Sequence, residues 1–173
     1  ETIRSNFNDA QAGGKKVWAD YDGHEIRTDQ SRENGGEASA LTRHETSIGA
    51  FAFSPDGARI AFVARDAPTA EQKEAERLGR DWTVVGEVRG YDRLWTVDAR
   101  TGEGVWTFNT AGPAISIPAV YKDLVFAAGG SGDGTIYALQ RATGTLFWKY
   151  ETGGKVHADP VVVGDLLYVA STD

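Results

Sequence analysis

The sequence predicts an all-β fold built from a repeated four-strand unit, and three observations carry that expectation. Sliding the chain against itself by 42 positions lays residues 90–131 over 132–173 without a gap. Eleven of the 42 pairs are identical, among them Thr101/Thr143, Gly102/Gly144, Trp106/Trp148, Thr110/Thr152, Pro118/Pro160, Asp123/Asp165 and Leu124/Leu166. Apolar and aromatic runs of strand length are separated by Asp-Gly and Thr-Gly pairs, which supply the positive φ that tight hairpins demand. Twenty-one glycines among 173 residues suit turn-rich sheet rather than a helical bundle. A fixed period of about 40 to 45 residues made of short strands is the pattern of β-propeller blades.

The elements follow in order. Residues 1–14 are polar and patternless, a frayed arm or a degenerate first strand. Residues 15–173 are expected to form blades. "KKVWADYDGHEIRTDQ" and "GGEASALTRHE" read as strands around the Asp22-Gly23 and Gly35-Gly36 turns, giving a partial blade over 15–46. "TSIGAFAFSPDGARIAFVARD" is a strand, a Ser54-Pro55-Asp56-Gly57 turn and a second strand; "RLWTVDARTG" is a third. These belong to a blade over 47–110, lengthened by an insertion at 67–90. Within that insertion Thr69 and Gln72 make a capping box, Glu71 and Glu74 lie near the positive end of the helix dipole, and Gly79 is placed as the cap. A short helix over 70–78 is predicted, with too few apolar residues for a strong buried face. "ISIPAVY", "LVFAAGG", "TIYALQ" and "LFWKYET", joined at Lys122-Asp123, Asp133-Gly134 and Thr143-Gly144, make the blade over 111–152. Residues 153–173 are half a blade. About thirteen strands result, or three to three and a half blades.

Composition narrows the partners. A formal charge of −7 and no concentrated run among the eighteen basic residues argue against a nucleic-acid partner. No apolar run approaches the ~18 residues of a membrane span. The absence of cysteine removes disulfides and thiolate chemistry but leaves the compartment open; a soluble chain, periplasmic or cytoplasmic if natural, is expected. Glu1 in a chain without methionine implies a processed, trimmed or engineered piece.

Thr101, Gly102 and Trp106 after Asp98, and Thr143, Gly144 and Trp148 with Gln140 in the Asp position, make residues 90–173 resemble the quinoprotein-like (PQQ-like) propeller repeat. That resemblance implies that each Trp packs across to the neighbouring blade and that each Gly admits the close approach of backbone. An aromatic platform for a ligand is the alternative role. Residues 35–103 resemble a different family, the amino-terminal propeller of acylaminoacyl-peptidase and prolyl-oligopeptidase-type serine peptidases, through Leu41-Thr42, the Ser54–Gly57 turn and Leu94-Trp95. There the propeller filters substrates for a separate hydrolase domain. The two likenesses meet at Thr101-Gly102-Glu103, a turn acceptable to both, which implies a chimera or an engineered assembly of propeller fragments; a natural divergent propeller is the alternative.

Catalytic grammar is missing. "GGSGDG" puts Asp133 where a nucleophile elbow needs glycine, and the Gly129–Gly134 loop lacks the Lys-Ser/Thr and helix of a phosphate cradle. His24, His44 and His157 are scattered and read as turn or strand-edge residues. His157 and Asp159 share a strand face, yet two ligands do not make a zinc site. Asp20, Asp22 and Glu25 do not follow calcium-loop spacing. Relatives of the PQQ-like kind hold their cofactor in a full ring of blades, often with paired cysteines, so no catalytic residue, cofactor or metal is expected here. The expected function is a non-catalytic scaffold or protein-interaction module that associates through open blade edges, for instance as a dimer giving a six- or seven-bladed ring. A peptidase propeller lacking its hydrolase domain and an outer-membrane-assembly-type PQQ-like scaffold are the alternatives.

Overall fold

The computed structural model describes residues 17–19, 25–28, 39–80, 91–110, 116–129 and 134–173. Among them thirteen strands and one helix occur. Strands β1 (Val17–Ala19), β2 (Glu25–Thr28) and β3 (Ser39–Arg43) make one sheet, and β4 (Ile48–Phe53), β5 (Arg59–Arg65), β6 (Asp92–Asp98) and β7 (Gly104–Asn109) the next. Strands β8 (Ala119–Tyr121), β9 (Leu124–Ala128), β10 (Thr135–Gln140) and β11 (Leu146–Glu151) make a third sheet, and β12 (Val161–Val163) pairs with β13 (Leu166–Tyr168). Every pairing is antiparallel and joins strands adjacent in sequence. The meander of four strands is that of a propeller blade, and the chain is a partial β-propeller.

Apolar surface is hidden between sheets, because each sheet is too thin to enclose a core. Ile26 of β2 packs with Ile48, Phe51, Ile60 and Phe62 of the second sheet. On the opposite face Ala61, Val63 and Leu94 meet Val125, Ala127, Tyr137 and Leu139 of the third. Ala128 and Ile136 close with Val156, Leu167 and Val169 around Trp148. Leu94 and Leu139 are fully buried, and such side chains contribute about 1.5–3 kcal/mol each.

Helix α1 (Ala70–Arg77) lies within the insertion. The capping box is formed: Gln72 N–H donates to Thr69 Oγ1 at 3.2 Å and Thr69 N–H to Gln72 Oε1 at 2.8 Å. Gly79 follows at φ +63°, in the left-handed conformation that ends helices. None of the helix residues is buried; Lys73 pairs with Glu45 of the β3–β4 connection in an exposed ion pair at 2.6 Å. No helix among the described residues is long and apolar enough to cross a membrane.

"ISIPAVY" is shorter as a strand than the sequence predicts, with β8 confined to Ala119–Tyr121. Pro118 has no N–H to give the ladder, and Ile117 N–H is taken by Asp159 Oδ1 at 2.8 Å. The Gly35-Gly36, Asp22-Gly23 and Asp133 turn positions, His24, and Asp20 lie outside the described residues.

Candidate interaction edge and the indole contacts

The two Thr-Gly turns fold alike because the same local hydrogen bonds form in each. Gly102 N–H reaches Asp98 O at 2.9 Å, and Gly144 N–H reaches Gln140 O at 2.8 Å. Thr101 Oγ1 accepts from Glu103 N–H, and Thr143 Oγ1 from Thr145 N–H, both at 3.3 Å. Both glycines are left-handed, φ +74° and +73°. The copies differ where Asp98 and Gln140 differ. Asp98 Oδ1 accepts from the amides of Arg100 and Thr101, and these bonds, with the Arg59 guanidinium on Oδ2, hold its carboxyl below the usual range.

Beyond each turn the outer strand carries one extra residue. Thr96 pairs with Trp106 but Val97 with Gly104, leaving Val105 as a bulge; 42 residues on, Ala138 pairs with Trp148 and Leu139 with Leu146, leaving Phe147. The first sheet repeats the shift, with Leu41 as the extra residue between Thr42 and Ala40. By this register Thr42 stands where Trp106 and Trp148 stand in the later sheets.

Trp106 bridges two sheets. Its indole N–H donates to Arg141 O at 2.8 Å, and a Cβ on Gly144 would lie 2.6 Å from its Cδ2, so only glycine lets the ring lie over that turn. Arg141 then pairs with Asp56 at 2.5 Å, across 85 residues, and with Asp123 at 3.4 Å. At Gly102 the neighbour is different: a Cβ there would fall 1.8 Å from Leu41 O. With the small Thr42 in the indole position, the backbone of β3 comes down onto the glycine itself.

Asp56 is the acidic partner in this clasp. The Ser54 hydroxyl, then the Ala58 amide and the Arg141 guanidinium, hold its carboxyl well below the usual carboxylate range. A depressed folded-state value stabilises the fold above the unfolded value of about 3.9, and the contribution is lost as pH falls through the folded value. The side chain is half exposed, so water screens the ion pair to about 1 kcal/mol or less. Asp56→Asn is therefore expected to melt below the wild type at neutral pH, with the gap closing once pH drops beneath about 4. Thermal melts of both proteins from pH 7 to pH 2 check it, and a gap that widens in acid refutes it.

Trp148 has the same position one sheet later with different surroundings. It packs on Phe126, centroids 6.0 Å apart, and borders Leu167 and Val169. Two residues on, at Tyr150, that face of β11 is open. Phe108 of β7 is partly buried and meets Tyr137 edge-on at 5.4 Å, whereas its counterpart Tyr150 is 62% exposed. The half sheet shows the same loss. Phe126 on β9 is buried, while its counterpart Tyr168, with Leu166, Val161 and Val163 on the same half sheet, is more than half exposed. Apolar surface thus collects along β11–β13, beside a β13 edge that pairs with no strand among the described residues.

The remaining candidates make local contacts. His157 N–H bonds Ala170 O at 3.3 Å on an exposed hairpin, and Asp159 is the acceptor for Ile117, so the two serve different contacts. Glu25 pairs with Arg43 at 3.4 Å. His44 is more enclosed than a strand-edge reading suggests: it stacks edge-on against Trp95 at 4.9 Å and Phe62 at 6.1 Å, and contacts Thr46 Oγ1 at 3.0 Å. Among the described residues no three His, Cys, Asp or Glu cluster as a metal would require.

Comparison with known proteins agrees with this architecture. Residues 90–173 match the family model described as outer membrane protein assembly factor BamB, of PQQ-like repeats. BamB from Moraxella catarrhalis superposes with a TM-score of 0.55 at 16% identity over 90% of this chain and 42% of its own. The computationally designed protein Ika8 superposes with a TM-score of 0.59 at 17% identity over 94% of this chain and 41% of its own. Identities this low show the fold alone, and the chain spans less than half of either structure. No curated protein matches at the sequence level.

Proposed function

We propose that this piece of a PQQ-like β-propeller is a non-catalytic scaffold, or protein-interaction module, that assembles through its open blade edges. One observation carries the reading: the half sheet β12–β13 has an edge that pairs with no strand among the described residues, flanked by exposed Leu166, Tyr168, Val161, Val163 and Tyr150. An unpaired edge beside apolar surface invites further strands. In this reading Thr101, Gly102, Trp106, Thr143, Gly144 and Trp148 pack blades together and hold no ligand. The working units are a partial blade to residue 46, blades over 47–110 and 111–152, and a half blade from 153.

Self-association is the natural form of such assembly. The chain covers 41% to 42% of the two propellers it superposes on, so two copies would span roughly four fifths of a ring of that size. A dimer giving six or seven blades is the arrangement we favour, in a propeller of chimeric or engineered make-up. Light scattering at micromolar concentration tests it: twice the chain mass is expected, and a monomeric mass overturns it.

The family match of the second half supports a second reading, a scaffold of the outer-membrane-assembly type that holds other proteins by strand edges. Recovery of outer-membrane assembly components in a pull-down would favour it. The likeness of residues 35–103 to peptidase propellers supports a third, a fragment that captures an α/β-hydrolase partner and hydrolyses nothing alone.

A further inference from the structure

We propose that the β13 edge and the open face of β11 at Tyr150 form a socket for one kind of partner: a β-hairpin with the chemistry of this repeat's third and fourth strands, donated by another chain. The inference rests on the reading above, that the open edge is where assembly occurs, and names what fills it.

The argument comes from the same interface one repeat earlier. There the face of β7 is covered by β9, by β10 and by the turn that joins β10 to β11. Three contacts define the fit. Trp106 donates its indole N–H to the hairpin's Arg141 carbonyl. Its ring lies over the hairpin's Gly144. Phe108 receives the edge of the hairpin's Tyr137. Displaced by 42 residues, Trp106 and Phe108 become Trp148, which borders Leu167 and Val169 of the half sheet, and Tyr150, which is exposed; among the described residues neither meets a counterpart of the β10–β11 hairpin.

The edge is compatible with that guest. β9 accepts β10 with Val125 opposite Leu139 and Ala127 opposite Tyr137, and the counterparts of Val125 and Ala127 are Leu167 and Val169. Val163 and Leu166 close a two-residue turn, so they exchange hydrogen bonds with each other and Leu167 turns its N–H and C=O to the free edge. Strand addition of this kind takes affinity from main-chain bonds and specificity from alternate side chains. Charge agrees as well. In the filled interface Arg141 binds Asp56 and Asp123; beside the open one stand the exposed carboxylates of Asp123 and Asp165, which already pair with Arg141 and Lys122, so the guest's arginine would share an acidic rim with cations of this chain.

The probe is a labelled peptide with the sequence of residues 134–151, which carries Tyr137, Arg141 and Gly144 together. Titrated with the full chain, it is expected to bind saturably and to slow exchange of the Leu167 amide. A Gly144→Val peptide cannot admit the Trp148 ring and should bind at least about tenfold more weakly. Tyr150→Ala in the chain, a surface change, should weaken the parent peptide about three- to tenfold. Equal binding of the Gly144→Val or a scrambled peptide, binding without protection of Leu167, or no binding overturns the proposal. A monomeric chain that binds the hairpin would sink the assembly reading and leave the socket standing; a dimer that ignores the hairpin would do the reverse.

Discussion

Gly102→Ala is expected to cost about 3 kcal/mol of stability, far more than an alanine in a turn usually costs. Two terms add. At φ +74° an L side chain is strained by about 1 kcal/mol. The new Cβ would also sit 1.8 Å from Leu41 O, and because that atom is backbone, β3 must back away from the second sheet. Forcing atoms into a packed contact costs about 1–3 kcal/mol. Gly164 separates the terms: it has φ +61° and nothing within 4 Å of a built Cβ. Gly164→Ala should therefore lose only the conformational part, about 1 kcal/mol. Urea unfolding of both variants measures the difference. Equal losses would mean that β3 does not rest on Gly102.

Trp106→Ala is the second large effect, about 3–4 kcal/mol, at the lower part of the range for truncating a large aromatic because the ring is partly exposed. The truncation empties the space over Gly144 and leaves the Arg141 carbonyl without its donor. Trp148→Ala should lose less, about 1–2 kcal/mol, since no described group accepts its indole N–H and β11 is open at Tyr150. The ordering shows in urea midpoints at constant m-value. A reversed order would mean that the belt of indoles does not hold the sheets together as described.

How legible this was in the sequence depends on the range of each interaction. The Thr-Gly turns, the capping box at Thr69 and the strand "TIYALQ" were readable because their hydrogen bonds form within a few residues. Contacts between sheets were not. Nothing near Arg141 announces that its partner is Asp56, and no local feature of Leu41-Thr42 tells that a threonine occupies an indole position and lets the strand settle onto Gly102. Lys122 is a similar case: it takes φ +51° where its repeat counterpart is Gly164, helped by the exposed Asp165 carboxylate at 2.7 Å and by the Tyr121 ring at 4.9 Å. A glycine-based turn rule passes over it. His44 reads as a turn or strand-edge residue and lies in the β3–β4 connection, but the rings of Phe62 and Trp95 that enclose it come from later strands and leave no local sign.

The nearest-neighbour meander within every sheet bears on how the molecule acquires its shape. Apart from β5 and β6, which pair across the 67–90 insertion, hairpins between consecutive strands close short loops at small entropic cost, and local topology of this kind speeds folding. Each sheet is thus a self-contained kinetic unit whose nucleation does not wait for its neighbours. Whether unfolding is a single cooperative event then falls to the apolar interfaces between sheets, with ties such as Arg141 to Asp56 at their rim. Loosening such an interface should divide one melting transition into successive losses, as in linear arrays of coupled repeats.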